Sequence, residues 1–85
     1  MFAKPKSPLF IDSVVFELEK DNSSTPIRAV LRDEKGIVMS SIDAIVPEGQ
    51  KNFKWNGLND LPYGIYVLEM GEGEQETRIR MVKRV

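Results

Sequence analysis

Apolar and polar positions alternate with a period of two along most of the chain, and no stretch holds the 3.6-residue period of a helix. Val14, Phe16 and Leu18 alternate with Val15, Glu17 and Glu19, which predicts a first strand. The polar run Asp21-Asn22-Ser23-Ser24-Thr25-Pro26 ends it. Ile27, Ala29 and Leu31 alternate with Arg28, Val30 and Arg32 in a second strand. Asp33-Glu34-Lys35-Gly36 predicts a turn, with Gly36 placed to take positive φ. A third strand covers residues 37–42, its two faces less cleanly separated, before Pro47-Glu48-Gly49 turns the chain again. Phe53 and Trp55 against Asn52 and Lys54 give a fourth strand, and residues 65–70 a fifth, rich in β-branched and aromatic side chains. Gly71-Glu72-Gly73-Glu74 reads as a hairpin connection to a sixth strand, in which Ile79 and Met81 alternate with Arg78 and Arg80.

This pattern predicts an all-β fold of six to seven short strands with turn signals between them. Connections this short force mostly antiparallel pairing. Few strands of unequal length favour a small immunoglobulin-like antiparallel β-sandwich over a closed barrel. Residues 9–85 read as one domain. Residues 1–8 read as a linker or disordered arm, because Pro5-Lys6-Ser7-Pro8 has linker composition. The opening does not read as a secretory signal: the apolar stretch after Lys4 and Lys6 breaks at Asp12. Two expectations follow. The protein is cytoplasmic if Met1 is its native start, or it is a domain of a longer exported protein, which the linker-like opening favours. No apolar run reaches the length of a membrane span, so no membrane insertion is expected.

Composition narrows the chemistry. The 85 residues include no cysteine and no histidine, which removes the thiol nucleophile, the disulfide, the commonest general base and the commonest metal ligand. Twelve Lys and Arg against thirteen Asp and Glu give a net charge of −1, without the basic excess of a nucleic-acid binder. Glu69, Glu72, Glu74 and Glu76 flank the last hairpin, but no Asp-x-Asp calcium spacing and no partner for a catalytic carboxylate accompany them. They read as a solvated tip that resists edge pairing. Asp21-Asn22-Ser23-Ser24 reads as a polar loop rather than a calcium loop. Arg78, Arg80, Lys83 and Arg84 form a basic stripe, for which cross-strand pairing with Glu69 or the hairpin glutamates is the economical reading. No phosphate loop and no activated nucleophile can be assembled, so neither an enzyme nor a cofactor or metal site is expected.

The densest signal is Lys54-Trp55-Asn56-Gly57-Leu58-Asn59-Asp60-Leu61-Pro62-Tyr63-Gly64-Ile65-Tyr66. Asn56-Gly57 ends the strand carrying Trp55. Pro62 presets φ at the second position of a turn over residues 61–64, and Gly64 at the fourth position matches type I. Asp60 is placed to accept backbone N–H groups ahead of that turn. Trp55, Leu58, Leu61 and Tyr66 would close one end of the sandwich. An exposed platform of Trp55 and Tyr63 for a sugar or peptide is the functional alternative. A lone tryptophan in so small a domain favours the core.

Asn59-Asp60-Leu61-Pro62-Tyr63-Gly64-Ile65-Tyr66-Val67-Leu68-Glu69-Met70, a glycine-bearing hairpin and Arg78-Ile79-Arg80-Met81-Val82-Lys83 together resemble the C-terminal sorting domains of the type IX secretion system of Bacteroidetes. Leu61, Gly64 and Tyr66 fit that family's L-x-x-G-x-Y motif, and Lys83 stands where the family often has a lysine. Leu31-Arg32-Asp33-Glu34-Lys35-Gly36-Ile37-Val38 resembles its central hairpin. Pro5-Lys6-Ser7-Pro8 departs from the family's P-N-P opening. Trp55-Asn56-Gly57 is similar to a W-x-G segment of the immunoglobulin-like domain of flagellar hook-capping proteins. The sorting resemblance implies a non-enzymatic C-terminal sorting signal, exported to the periplasm and then to the cell surface or medium as part of a larger protein. Its implied partner is the outer-membrane export machinery, and its implied targeting residues are Leu61, Gly64, Tyr66 and Lys83. Residues 77–84 would act as an edge strand that pairs with a partner sheet. The alternative is an immunoglobulin-like structural or protein-interaction module of a cell-surface protein. It would pack on neighbouring domains through an apolar sheet face, with Val15 and Val30 pointing outward.

Overall fold

The computed structural model describes residues 3–18, 25–72 and 75–84, the side chains of Thr25, Glu72 and Gln75 excepted. Among them are eight strands and no helix: β1 (Ala3–Pro5), β2 (Leu9–Phe10), β3 (Val14–Leu18), β4 (Thr25–Asp33), β5 (Val38–Val46), β6 (Asn52–Trp55), β7 (Gly64–Glu72) and β8 (Gln75–Lys83). They form a three-stranded sheet in the order β1-β3-β6 and a five-stranded sheet in the order β2-β8-β7-β4-β5. In the immunoglobulin plan β1, β3 and β6 take the places of strands A, B and E, and β8, β7, β4 and β5 those of G, F, C and C′. The fold is therefore an immunoglobulin-like β-sandwich in which the strand after C stays on the C sheet.

Alternation builds this core. In β3, Val14 and Phe16 are buried and meet Trp55 and Phe53 of β6 as register partners; the Phe16 and Phe53 rings stack at 6.2 Å. The inner face of the larger sheet supplies Ile27, Ala29 and Leu31 from β4, Tyr66, Leu68 and Met70 from β7, and Met81 from β8. Leu58, in the loop after β6, is fully buried between them and anchored by its N–H to the Asp12 carbonyl at 3.0 Å. With no disulfide available, apolar burial carries the sandwich.

Two short segments at the start, β1 and β2, bring the strand count to eight, above the expected six to seven. Residues 1–8 do not behave as an arm throughout: β1 pairs antiparallel with β3, Ala3 opposite Leu18, and Ala3 is 1% exposed. β2 pairs parallel with β8, Leu9 opposite Val82, so the sheet is not wholly antiparallel. Both segments are too short to show an alternation, and Pro5 sits on the outer strand of its sheet, where a missing N–H costs nothing. β5 runs four residues past the expected end at Ile42, because Asp43, Ala44, Ile45 and Val46 continue opposite Arg28, Ile27, Pro26 and Thr25. A register shift between Leu31 and Arg32 switches the faces of β5 near its start, which is why they looked mixed.

Candidate functional site

The four residues of the sorting resemblance gather at one end of the sandwich, where β7 begins and β8 ends. After the buried Leu58, the Leu61 N–H donates to the Leu58 carbonyl at 3.2 Å and the Leu61 side chain packs on the core. Gly64 then takes φ +141°, a region that L side chains rarely adopt. A Cβ there would meet no atom within 4 Å, so backbone conformation alone favours glycine. Two residues on, Tyr66 is 2% exposed, and its hydroxyl donates back to the Pro62 carbonyl at 2.7 Å. This is a tyrosine corner, in the place where the immunoglobulin plan carries one, at the start of the F-equivalent strand. The stretch is held by this side-chain bond and by the Leu58–Leu61 bond, in place of the expected type I turn over residues 61–64. Asp60 is exposed.

Burial raises the Tyr66 phenol above its ordinary value of 10, and the charge of Asp33, its register partner on β4, adds to the shift. The hydroxyl therefore stays protonated and remains a donor through neutral pH. Its ring also meets Phe10 of β2 edge-on at 5.9 Å, which ties the corner to the short parallel strand.

Lys83 is the register partner of Gly64 and is 3% exposed. Alternation explains this: Lys83 shares the inward face of β8 with Ile79 and Met81, whereas Arg78 and Arg80 face outward. It does not belong to the basic stripe in which the sequence placed it. Its ammonium lies 5.4 Å from the centre of the Tyr63 ring and donates to the Arg84 carbonyl at 3.4 Å. Tyr63 is 65% exposed, so this ring is a lid over a buried cation. Next to it in the fold is an open groove of about 530 Å³, lined by Leu9, Phe10, Ile11, Asp12, Ser13 and Arg84. Leu9 and Ile11 are about half exposed there. Sequence reading missed this groove because β2 is only two residues long. The exposed apolar pair flanking Phe10 was its available sign.

The expected cross-strand pairing is made on the outer face of the larger sheet. Glu69 accepts from Arg32 of β4 and from Arg78 of β8, the latter at 3.0 Å, and its side chain is 12% exposed. The Arg32 hydrogen bond, with the two guanidinium charges, holds the Glu69 carboxyl below its ordinary value of 4.5 against the opposing effect of burial. Trp55 is 3% exposed, which leaves Tyr63 without the partner that an aromatic platform needs. The Asp21–Ser24 loop and Gly73-Glu74 lie outside the described residues. Among the described residues no group of three or more acidic side chains is arranged to hold a metal ion. No protein-family model matches the chain, and no curated protein matches it.

Two outcomes are expected. Tyr66→Phe leaves the partly buried Pro62 carbonyl without its donor and lowers unfolding free energy by about 1–3 kcal/mol in urea denaturation; unchanged stability would remove the corner from the account. Because the folded Glu69 carboxyl is depressed, its ionised form favours the folded state at pH above 4.5, and that contribution is lost as pH falls through the lower folded value. Glu69→Gln is therefore expected to be less stable than wild type near neutrality and to converge on it in acid, as followed by thermal melts across pH.

Proposed function

We propose that this domain is a non-enzymatic C-terminal sorting domain, recognised by the outer-membrane export machinery of a type IX secretion system and carried to the cell surface on a longer protein. The observation that carries the reading is convergence. Leu61, Gly64, Tyr66 and Lys83 span 23 positions of sequence, yet they meet at one corner, with Gly64 directly opposite Lys83. Tyr66 and Lys83 are buried and Leu61 and Gly64 partly so, which makes them positioning residues: they shape the corner, and Tyr63, Leu9, Ile11 and Arg84 form the surface that a partner would touch.

The last strand is not an edge along its whole length, which revises the expected docking surface. β2 covers Val82 and Lys83, with the Val82 and Arg84 N–H groups donating to the Pro8 and Phe10 carbonyls at 2.8 and 2.9 Å. The two-residue period turns the N–H and C=O groups of Arg78 and Arg80 to the same side. Among the described residues no strand pairs with them there. This half of β8 is the part to which a partner strand would add.

A second reading, an immunoglobulin-like interaction module, is favoured by the outer face of the larger sheet. Leu9, Val82 and Ile65 form one cross-strand row there, with Val67 beside it. Val30 also lies on that outer face, half buried, and Val15 lies half buried on the outer face of the smaller sheet.

The test is fusion of residues 1–85 to a periplasmic reporter in a type IX-competent host; the full stretch is needed because β1 begins at Ala3. Surface delivery that is lost in a Gly64→Ala, Tyr66→Ala variant, with circular dichroism confirming that the variant folds, is the expected result. Periplasmic retention of the folded wild-type fusion would contradict sorting and favour the interaction module.

A further inference from the structure

The sandwich has four strand edges, and they are not defended alike. β1 carries Lys4 and Pro5, and β6 is four residues long with Lys54 at its centre. The open half of β8 carries Glu76, Arg78 and Arg80. Short length, proline and charge are the usual means of preventing edge-to-edge pairing. β5 uses almost none of them. It is nine residues long (Val38-Met39-Ser40-Ser41-Ile42-Asp43-Ala44-Ile45-Val46), with no proline, no glycine, no lysine and one charge. Its only neighbour among the described residues is β4. Three of the large apolar residues left exposed belong to it or to the residue before it: Ile37 at 55%, Val38 at 49% and Ile45 at 71%.

We propose that the open edge of β5 pairs with β5 of a second copy of this chain, antiparallel about a two-fold axis, joining the two larger sheets into one. This proposal stands apart from the sorting reading. Self-complementarity selects the occupant and the register. Ser40, Ile42, Ala44 and Val46 face inward opposite Leu31, Ala29, Ile27 and Thr25, while Ser41, Asp43 and Ile45 face outward. A two-fold pairing keeps inward residues opposite inward ones only when its axis passes through a residue. An axis at Asp43 would set that carboxylate against its own copy, which is unfavourable. An axis at Ile42 sets Ile42 against Ile42, Ser41 against Asp43 and Ser40 against Ala44; before Ser40 the register shift turns Met39 to the core and Val38 outward, so the matched ladder runs over residues 40–44. In this register a hydroxyl meets the single carboxylate on the outer face, and Ile42 meets its own copy on the inner face. Arg28, which pairs with Asp43 at 3.6 Å within one copy, keeps that charge compensated.

The register makes a charge-specific prediction, because each substitution acts twice across a two-fold axis. Sedimentation equilibrium of the whole chain from about 10 µM to about 1 mM is expected to show a reversible monomer–dimer equilibrium. Ser41→Asp places like charges opposite Asp43 and is expected to raise the dissociation constant roughly tenfold. Ser41→Lys is expected to leave it unchanged or lower it. Ser41 is exposed on the outer face, so both variants retain the fold, which circular dichroism checks. A monomer across the whole range would overturn the proposal. So would equal effects of the aspartate and lysine variants, or a dimer indifferent to both, since either places the contact elsewhere.

Discussion

The hydroxyl of Tyr66, donating to the carbonyl of Pro62, is the interaction on which the rest of the arrangement turns. It joins two positions four residues apart and fixes how the chain leaves the loop after β6 and enters β7. β7 is the central strand of the larger sheet, paired to β8 on one side and β4 on the other, so its starting point sets the register of both ladders. Gly64 supplies the backbone conformation that lets the loop reach this point, and Leu58 and Leu61 hold the loop down by apolar contact. The pairing of Gly64 with Lys83 follows from that register, and with it the placement of a buried ammonium under the ring of Tyr63.

Much of this was legible in the sequence, for identifiable reasons. The strands with a clean two-residue alternation, β3, the middle of β4 and the end of β8, were readable because one face must be apolar and the other need not be. Asp33-Glu34-Lys35-Gly36 was readable because a turn needs a residue that tolerates positive φ, and Gly36 takes +86°. The burial of Trp55 and Tyr66 followed from how much apolar surface each carries. β1 and β2 were not readable: two or three residues carry no period, and their pairing depends on partners that are distant in sequence. The corner was half readable. Its residues stood out as a motif, but proline followed by glycine also fits a hydrogen-bonded turn, and only the packed position of the Tyr66 ring decides between them. Lys83 illustrates the opposite failure. Its charge grouped it with Arg78, Arg80 and Arg84, whereas strand parity, already visible in Ile79 and Met81, places it inward.

Charge on the larger sheet is arranged by row. Arg32 and Arg78 share the single carboxylate of Glu69 across three adjacent strands at the middle of the outer face. The apolar row of Leu9, Val82 and Ile65 lies toward the corner end, and the sparsely charged β5 lies at the far edge. Surfaces of different chemistry thus occupy separate parts of a domain with a single small core. The two proposed uses, a partner protein at the corner and its groove and a second copy at the β5 edge, involve different parts of the surface, so neither would obstruct the other.

The Tyr66 hydroxyl is a buried donor that holds the corner together. The direct test of that role is a titration of the Tyr66 ring followed by NMR in the intact domain, with circular dichroism run in parallel. The phenol is expected to ionise above its ordinary value of 10, and the corner to open as it does so. Ionisation at or below 10 with the sandwich unchanged would contradict it.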